Sequence, residues 1–336
     1  MEIIGHTRQL NLLRGFLKNN LFFSSYLFRG SEEIGKKTIA LEFAKGLLCE
    51  NKTFGGCSSL HQIPNERASF CLSCFDSAKR DFLMIDENFL PNQVIESDDE
   101  KAYGIDTSRA IIKFLSTAPS VSQRKVVLID EAHLLTQEAQ NSLLKIIEEP
   151  PANAVIILIT DKPSYLYETI LSRTLQIHFS LVSQQTIIHW LEKLVPRSPK
   201  SEVEEISRLS LGRPGQAFKF SQDKKLLMQF KKTVLQLLHF ESKTIGQRQV
   251  LLKDFLETSS DLRVDMAVWQ TILRDELLFS FNLADLPLIL SKKRSMASGD
   301  LVKILKRLLT FSETAENFPA TADACFKQVA LSIPSC

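Results

Sequence analysis

A glycine-rich segment near the start of the chain contains most of the residues that a phosphate-binding loop needs. Such a loop uses glycines to bring backbone N–H groups around the phosphates, a lysine for the outer phosphates, and a Ser or Thr directly after it as a magnesium ligand. Gly30, Gly35 and Lys36 have this spacing. Lys37, however, stands at the magnesium-ligand position, and Thr38 follows one residue late, about 100° further round a helix. Alone, the segment is better explained as a glycine turn that opens a helix.

Two acidic residues, Asp130 and Glu131, directly follow the apolar run Val126–Ile129. At the carboxyl edge of a sheet, the first acid of such a pair would face magnesium and the second would face an attacking water. An apolar strand before an acidic helix start is common. Finding this pair and the glycine-rich segment about ninety residues apart, each at a predicted strand end, nevertheless favours a P-loop nucleotide fold. We interpret His133 as a polar helix-start residue rather than a catalyst.

Four of the six cysteines, Cys49, Cys57, Cys71 and Cys74, lie within 26 residues of one another. The last two form a C-x2-C knuckle, a spacing that lets two thiolates take adjacent corners of a zinc tetrahedron. A site closed by four thiolates would be structural and not catalytic. The irregular separations leave unrelated buried thiols as the alternative.

Short apolar runs alternate with helical patterns in the first half of the chain. The predicted strands cover residues 26–28, 82–85, 126–129 and 154–159. Helices are predicted at 38–48 and 137–148, where apolar residues recur at helical spacing. Strands that alternate with helices of ten or more residues indicate a parallel, doubly wound α/β sheet.

From about residue 183 onward, the periodicity is almost entirely helical. We therefore predict three domains. The first is a P-loop α/β domain over residues 1–180, with the cysteine module inserted at about 49–74. A small helical lid domain follows over 181–222, and an all-helical C-terminal domain covers 223–336.

Composition limits the possible functions of the 336-residue chain. Apolar residues make up 44% and charged residues 24%, which is ordinary globular usage. Lys and Arg together number 41 against 39 Asp and Glu, so contact with DNA would have to be local or shared with partners. No apolar run approaches the roughly 18 residues of a membrane span, and the first residues lack the apolar core of a secretory signal. We expect a cytoplasmic, multidomain protein that does not enter a membrane.

The run from Val126 to Phe179 carries a specific resemblance. It contains a D-E-x-H-type strand end, a helix similar to A-x-N-A-L-L-K-x-L-E-E-P-P, a strand that ends in Thr, and Ser-Arg. With these features the chain resembles the AAA+ clamp-loader subunits of bacterial DNA polymerase III, and the delta-prime branch most. The similarity extends weakly to Ile4-Gly5-His6 and to the segment 212–217.

The resemblance implies roles for several residues. Arg173 matches the family's arginine finger, which reaches into a neighbouring subunit's ATP site and stabilises charge on the γ-phosphate. The alternative is an exposed ion pair with a nearby acid such as Glu168. Thr160 would be the first sensor, and Glu131 a catalytic acid that could be vestigial. The remaining nucleotide-binding candidates, for ATP with magnesium, are Gly30, Gly35, Lys36, Thr38 and Asp130.

The chain also departs from the family's pattern. Thr174 replaces a usual cysteine, and thirteen residues separate Cys57 from Cys71, where the family has two. The arginine of the second sensor falls on Gly215, and Lys37 follows the loop lysine. We therefore expect weak or absent ATP hydrolysis by this chain.

Three functional hypotheses remain open. The leading one is a delta-prime-like subunit of a hetero-oligomeric clamp loader that donates Arg173 to a neighbour, while its last domain forms an oligomerising collar. Its partners would be the gamma/tau and delta subunits, the sliding clamp, and primed DNA through the complex, within a holoenzyme that transfers nucleotides. The alternatives are an active gamma/tau-type ATPase motor subunit and a zinc-binding structural scaffold without a nucleotide role.

Overall fold

The computed structural model describes residues 3–49, 54, 79–86, 89, 102–238, 246–250, 262–281, 299 and 301–307. The chain divides into two compact units. The first comprises Met1–Ser183 and Arg213–Gly215, and the second comprises Gln184–Gly212 and Gln216–Cys336. The three residues Arg213–Gly215 thus group with the first unit although they lie inside the predicted lid range.

Within its described residues, the first unit alternates strands and helices. Its elements are α1 Thr7–Asn19, β1 Ser25–Arg29, α2 Lys36–Leu48, β2 Phe82–Ile85, α3 Ile105–Leu115, β3 Lys125–Ile129, α4 Gln137–Glu148, β4 Ala154–Thr160, α5 Glu168–Arg173 and β5 Leu175–His178. The four predicted strands and both predicted helices are present, and their bounds differ by at most two residues from those predicted.

The five strands form one parallel sheet in the order β2-β3-β4-β1-β5. β1 lies between β4 and β5, with Phe28 opposite Ile159 on one side and Ile177 on the other. All carboxyl ends therefore share one edge, where crevices next to crossing connections bind ligands in open α/β sheets. The glycine-rich segment and Asp130 both lie at this edge.

Helices cover both faces of the sheet. On one face Tyr26 and Phe28 pack against α1 and α2, with the rings of Tyr26 and Phe43 centred 5.2 Å apart. On the other face Leu27 belongs to a cluster with Ile111 of α3 and residues of α4. β3 and β4 are buried along their whole length, which explains their unbroken apolar sequences. The predicted α/β fold is confirmed.

Four elements of this unit, α1, α3, the short α5 and β5, are absent from the sequence-based prediction. β5 is a short strand with only Ile177 buried, so its sequence shows no apolar run. Both α1 and α3 are amphipathic, and the buried residues of α1 (Leu10, Leu13 and Leu17) do recur at helical spacing. The signal for these two helices was present in the sequence.

The second unit is helical in its described residues. Its helices are α6 Gln184–Leu194, α7 Lys200–Leu209, α8 Pro214–Gln222, α9 Lys224–Leu238 and α10 Leu262–Ser280, with further helical residues at 246–250 and 301–307. The first two residues of α8, Pro214 and Gly215, group with the first unit. The division into a lid and a collar domain stays a prediction. In the part of the chain that the structure describes, no helix has both the length and the apolar character needed to cross a membrane.

Candidate nucleotide-binding site and exposed arginine

The glycine-rich turn connects β1 to α2 and places its two glycines in different surroundings. Gly30 has φ +148°, and a Cβ at this position would overlap the backbone oxygen of Phe179. Gly35 precedes α2 with φ +97°, and nothing lies within 4 Å of where its Cβ would be. Gly30 is thus required by close packing of the backbone, while Gly35 is required only by its left-handed conformation.

The side chain of Lys36 folds back onto the turn and binds its backbone. Its ammonium donates hydrogen bonds of 2.6 Å to the backbone oxygens of both Gly30 and Ser31, and the side chain is buried. Burial lowers the pKa of Lys36, and the nearby negative charges of Asp161 and other acids only partly oppose this. Lys36 is therefore the first residue of α2, the position of the lysine in a phosphate-binding loop, and its ammonium is bound by carbonyl groups of the turn.

Lys37 contacts the acids that would otherwise face a metal ion. Its Nζ lies 3.0 Å from Oδ2 of Asp130 and 3.4 Å from Oδ2 of Asp86. Burial alone would lower the pKa of Lys37, but the hydrogen bonds and charges of these two carboxylates outweigh burial and raise it. Thr38 is half-buried in the first turn of α2. Asp130 is therefore brought to the glycine-rich turn as predicted, but its neighbour there is a lysine.

Thr160, the predicted first sensor, ends β4 and is buried beside the turn. Its backbone oxygen accepts a hydrogen bond from the N–H of Gly30, at 3.3 Å. Its hydroxyl lies 3.3 Å from Nδ1 of His133, and the same nitrogen lies 3.2 Å from a carboxylate oxygen of Asp161. Thr160 therefore lies buried beside the turn, at the place where the resemblance expects the first sensor.

Asp86 and Asp161 are site residues that the sequence reasoning missed. Both directly follow a strand, β2 and β4 respectively. This is the same signal that singled out Asp130 after β3, and applying it to every predicted strand would have found them.

Glu131 is exposed and adopts a left-handed backbone conformation, with φ +48° and ψ +48°. Its N–H donates to Oδ1 of Asp130 at 3.1 Å. Non-glycine residues adopt this conformation at a cost of about 1–3 kcal/mol, and such strained residues cluster at functional sites. Exposure leaves the Glu131 carboxylate accessible to solvent.

Gly215, where the second-sensor arginine would fall, packs directly against the glycine-rich turn. Its N–H donates to the backbone oxygen of Glu33 at 2.8 Å. A Cβ on Gly215 would lie 2.9 Å from both that oxygen and the Cβ of Glu33. An arginine at this position would therefore require the turn to move.

Arg173 ends α5, and its side chain is 41% exposed. Its Nε lies 3.0 Å from Oε1 of Glu148, which is itself 44% exposed, and its Nη1 donates to the backbone oxygen of Thr169 at 3.2 Å. The ion-pair partner is thus an acid, Glu148, although not Glu168, the example named for the alternative. An exposed pair of this kind contributes at most about 1 kcal/mol, so little holds the guanidinium in place.

Cys49 is the one member of the cysteine cluster within the described residues, and it is buried directly after α2. Cys57, Cys71 and Cys74 lie outside them. Among the residues that the structure does describe, no group of three or more His, Cys, Asp or Glu side chains could hold a metal ion.

A comparison with protein-family models shows the family of this chain. Residues 5–183 match the family model described as DNA polymerase III, delta subunit. The tau subunit of Bacillus subtilis DNA polymerase III is 29% identical over 338 residues, covering 96% of this chain and 55% of that protein. The delta' subunit of Pseudomonas aeruginosa is 30% identical over 190 residues, covering 56% and 53%. The tau subunit of Salmonella typhimurium is 31% identical over 194 residues, covering 58% and 27%.

The chain thus spans between about a quarter and just over half of the length of these curated relatives. Among solved structures, a DNA polymerase III gamma subunit-related protein from Thermotoga maritima matches with a TM-score of 0.44 at 19% identity, covering 96% of this chain and 99% of that one. The Bacillus subtilis clamp loader delta protein matches with a TM-score of 0.36 at 12% identity, with the same coverage.

Proposed function

Because the chain belongs to the DNA polymerase III delta subunit family, we propose that it is a delta-prime-like subunit of a clamp loader. In this role it completes a ring of subunits with gamma/tau and delta, and helps to load the sliding clamp onto primed DNA during replication in the cytoplasm. The last domain, residues 223–336, forms the oligomerising collar. DNA is contacted through the complex, because the nearly equal numbers of basic and acidic residues give this chain no overall positive potential that would attract DNA.

One observation carries this proposal. The chain has an exposed Arg173, but its own candidate nucleotide site lacks the residues that efficient ATP hydrolysis needs. ATP hydrolysis between subunits needs a phosphate and metal site on one chain and an arginine from the next. Here the guanidinium is accessible, while Lys37 contacts Asp130 and the packing of Gly215 on Glu33 leaves no room for an arginine. A subunit with these features serves a neighbour's site better than its own.

The residues of the turn fit a phosphate but not a magnesium-bound one. Gly35 leaves open space at the start of α2, and Lys36 needs only to exchange two carbonyl acceptors for phosphate oxygens. Bound ATP with magnesium would supply the phosphoryl group and its counter-charge. In this chain, Gly30, Gly35, Lys36 and Thr38 would hold the phosphates beside Thr160, while the ammonium of Lys37 lies against Asp130 where a metal ion would have to bind.

The alternative of a gamma/tau-type motor subunit is favoured by the names of the tau relatives. It requires a Ser or Thr at position 37 and an arginine at position 215, and the sequence has Lys37 and Gly215. The site geometry therefore favours the subunit without efficient turnover.

We expect the isolated chain to hydrolyse ATP at a barely detectable rate, and to form a hetero-oligomer when mixed with gamma/tau and delta subunits from the same organism. Steady-state ATPase assays and size-exclusion chromatography test the two expectations. Lys36→Ala should change the assembled complex's turnover little. A turnover of about 1 s⁻¹ by the chain alone, within the ordinary enzyme range, would support the motor subunit instead. Failure to assemble would contradict both clamp-loader roles.

A structural zinc site formed by Cys49, Cys57, Cys71 and Cys74 is a further part of the proposal. It is supported by the clustering of the four cysteines and their C-x2-C knuckle. Metal analysis of chelator-free protein should find about one zinc per chain. Cys71→Ser should release the metal and loosen this module while the sheet stays folded, because the apolar strands lie elsewhere in the sequence. Folded protein without metal would rule the site out.

A further inference from the structure

The contacts of Lys37 place a fixed positive charge at the carboxyl edge of the sheet. β2 and β3 pair in register, with Ile85 opposite Ile129, so the residues that follow them lie side by side. The N–H of Asp130 donates to the backbone oxygen of Ile85 at 2.9 Å, which continues this pairing beyond the strands. Asp86 and Asp130 therefore present neighbouring carboxylates.

Lys37 of α2 contacts both of these carboxylates. Lys37 lies in the first turn of α2, and its ammonium contacts one oxygen from each acid, at 3.0 and 3.4 Å. The second oxygen of Asp130 accepts a backbone hydrogen bond from Glu131. Both carboxylates are 17% exposed and the Lys37 side chain is 43% exposed, so water is partly excluded from the carboxylate side of the contact.

The position of the ammonium is incompatible with a divalent ion on Asp130. Magnesium takes carboxylate oxygens at about 2.0–2.1 Å and keeps several waters in an octahedral shell. An ammonium 3.0 Å from Oδ2 of Asp130 occupies part of that shell and repels the ion. The residues present therefore do not fit magnesium at this point.

We infer that Lys37 is a built-in replacement for the divalent cation: Asp86 and Asp130 hold its ammonium, and this excludes metal ions from the glycine-rich turn. The ammonium joins the start of α2 to the ends of β2 and β3, as a bound metal would, without any ligand. The inference concerns this chain alone and does not depend on its role in a clamp loader.

Binding of Mn²⁺ to the isolated full-length chain tests the inference, with free Mn²⁺ counted by electron paramagnetic resonance. The natural protein and Lys37→Arg, which keeps the charge, should bind the same amount. Lys37→Thr removes the ammonium and adds a hydroxyl ligand, and it should bind about one further Mn²⁺ per chain. Adding Asp130→Asn to Lys37→Thr should abolish this gain.

Two results would overturn the inference. One is a folded Lys37→Thr protein, judged by circular dichroism, that binds no more Mn²⁺ than the natural chain. The other is a loss of Mn²⁺ binding when Asp130→Asn is made with Lys37 in place, since the natural carboxylate would then already hold metal. The second measurement remains decisive if Lys37→Thr does not fold.

Discussion

Replacing Arg173 with alanine is expected to slow ATP hydrolysis at the neighbouring subunit's site by about 10³–10⁵-fold, the range typical of arginine fingers. The variant chain should fold and assemble almost normally. Its guanidinium is exposed, and the ion pair that it loses with Glu148 contributes at most about 1 kcal/mol. Only one of several sites in the ring would be affected, so total turnover would fall less than clamp loading.

A matched control separates the finger from the ion pair. Glu148→Gln removes the same pair but leaves the guanidinium in place. We expect it to preserve the neighbour's ATP hydrolysis. Arg173→Lys should not rescue activity, because an ammonium lacks the planar fork of a guanidinium. The measurements are steady-state ATPase and clamp loading by the assembled complex, and unchanged values with Arg173→Ala would exclude the finger role.

Gly30→Ala is expected to destabilise the first unit by about 2–6 kcal/mol, the sum of a strained backbone and an overpacked contact. A methyl group at this position would overlap the backbone oxygen of Phe179, which belongs to the chain segment after β5. Gly35→Ala is the control, because its φ is also positive but the space around it is open. It should cost about 1–2 kcal/mol, the penalty of a left-handed residue alone.

Hydrogen exchange of the amides in β1 and β4 is the suitable measurement for this pair of variants. The two tryptophans of the chain, Trp190 and Trp269, lie in the second unit, so their fluorescence does not report on the sheet. Equal loss of protection in the two variants would show that the close contact at Gly30 adds nothing to the cost of the conformation.

The buried strands of the fold were predictable because their whole surface is covered. β3 and β4 show unbroken apolar sequences, and their predicted bounds lie within one residue of the observed ones. β5 escaped prediction for the opposite physical reason. Its sequence, Leu-Gln-Ile-His, exposes alternate residues and resembles a loop.

The sequence identified several residues of the candidate site, but it did not show which of them contact one another. Spacing along the chain pointed to Lys36 and Asp130, and the resemblance to clamp-loader subunits pointed to Thr160 and Arg173. The ion pair of Arg173 with Glu148 could not be read from the sequence, since Glu148 is distant along the chain and is brought close by the packing of α4 against α5. Lys37 was recognised as the wrong residue for a magnesium ligand, but its contact with Asp86 depends on the pairing of β2 with β3.

The close fit of Gly215 against Glu33 also links distant positions of the chain when the site is redesigned. Gly215→Arg alone would collide with the turn, and replacing Lys37 alone would leave Asp86 and Asp130 as adjacent uncompensated charges. Under the proposed role, engineering efficient ATP hydrolysis into this chain would therefore require simultaneous changes at positions 37 and 215 and in the turn that contacts Gly215.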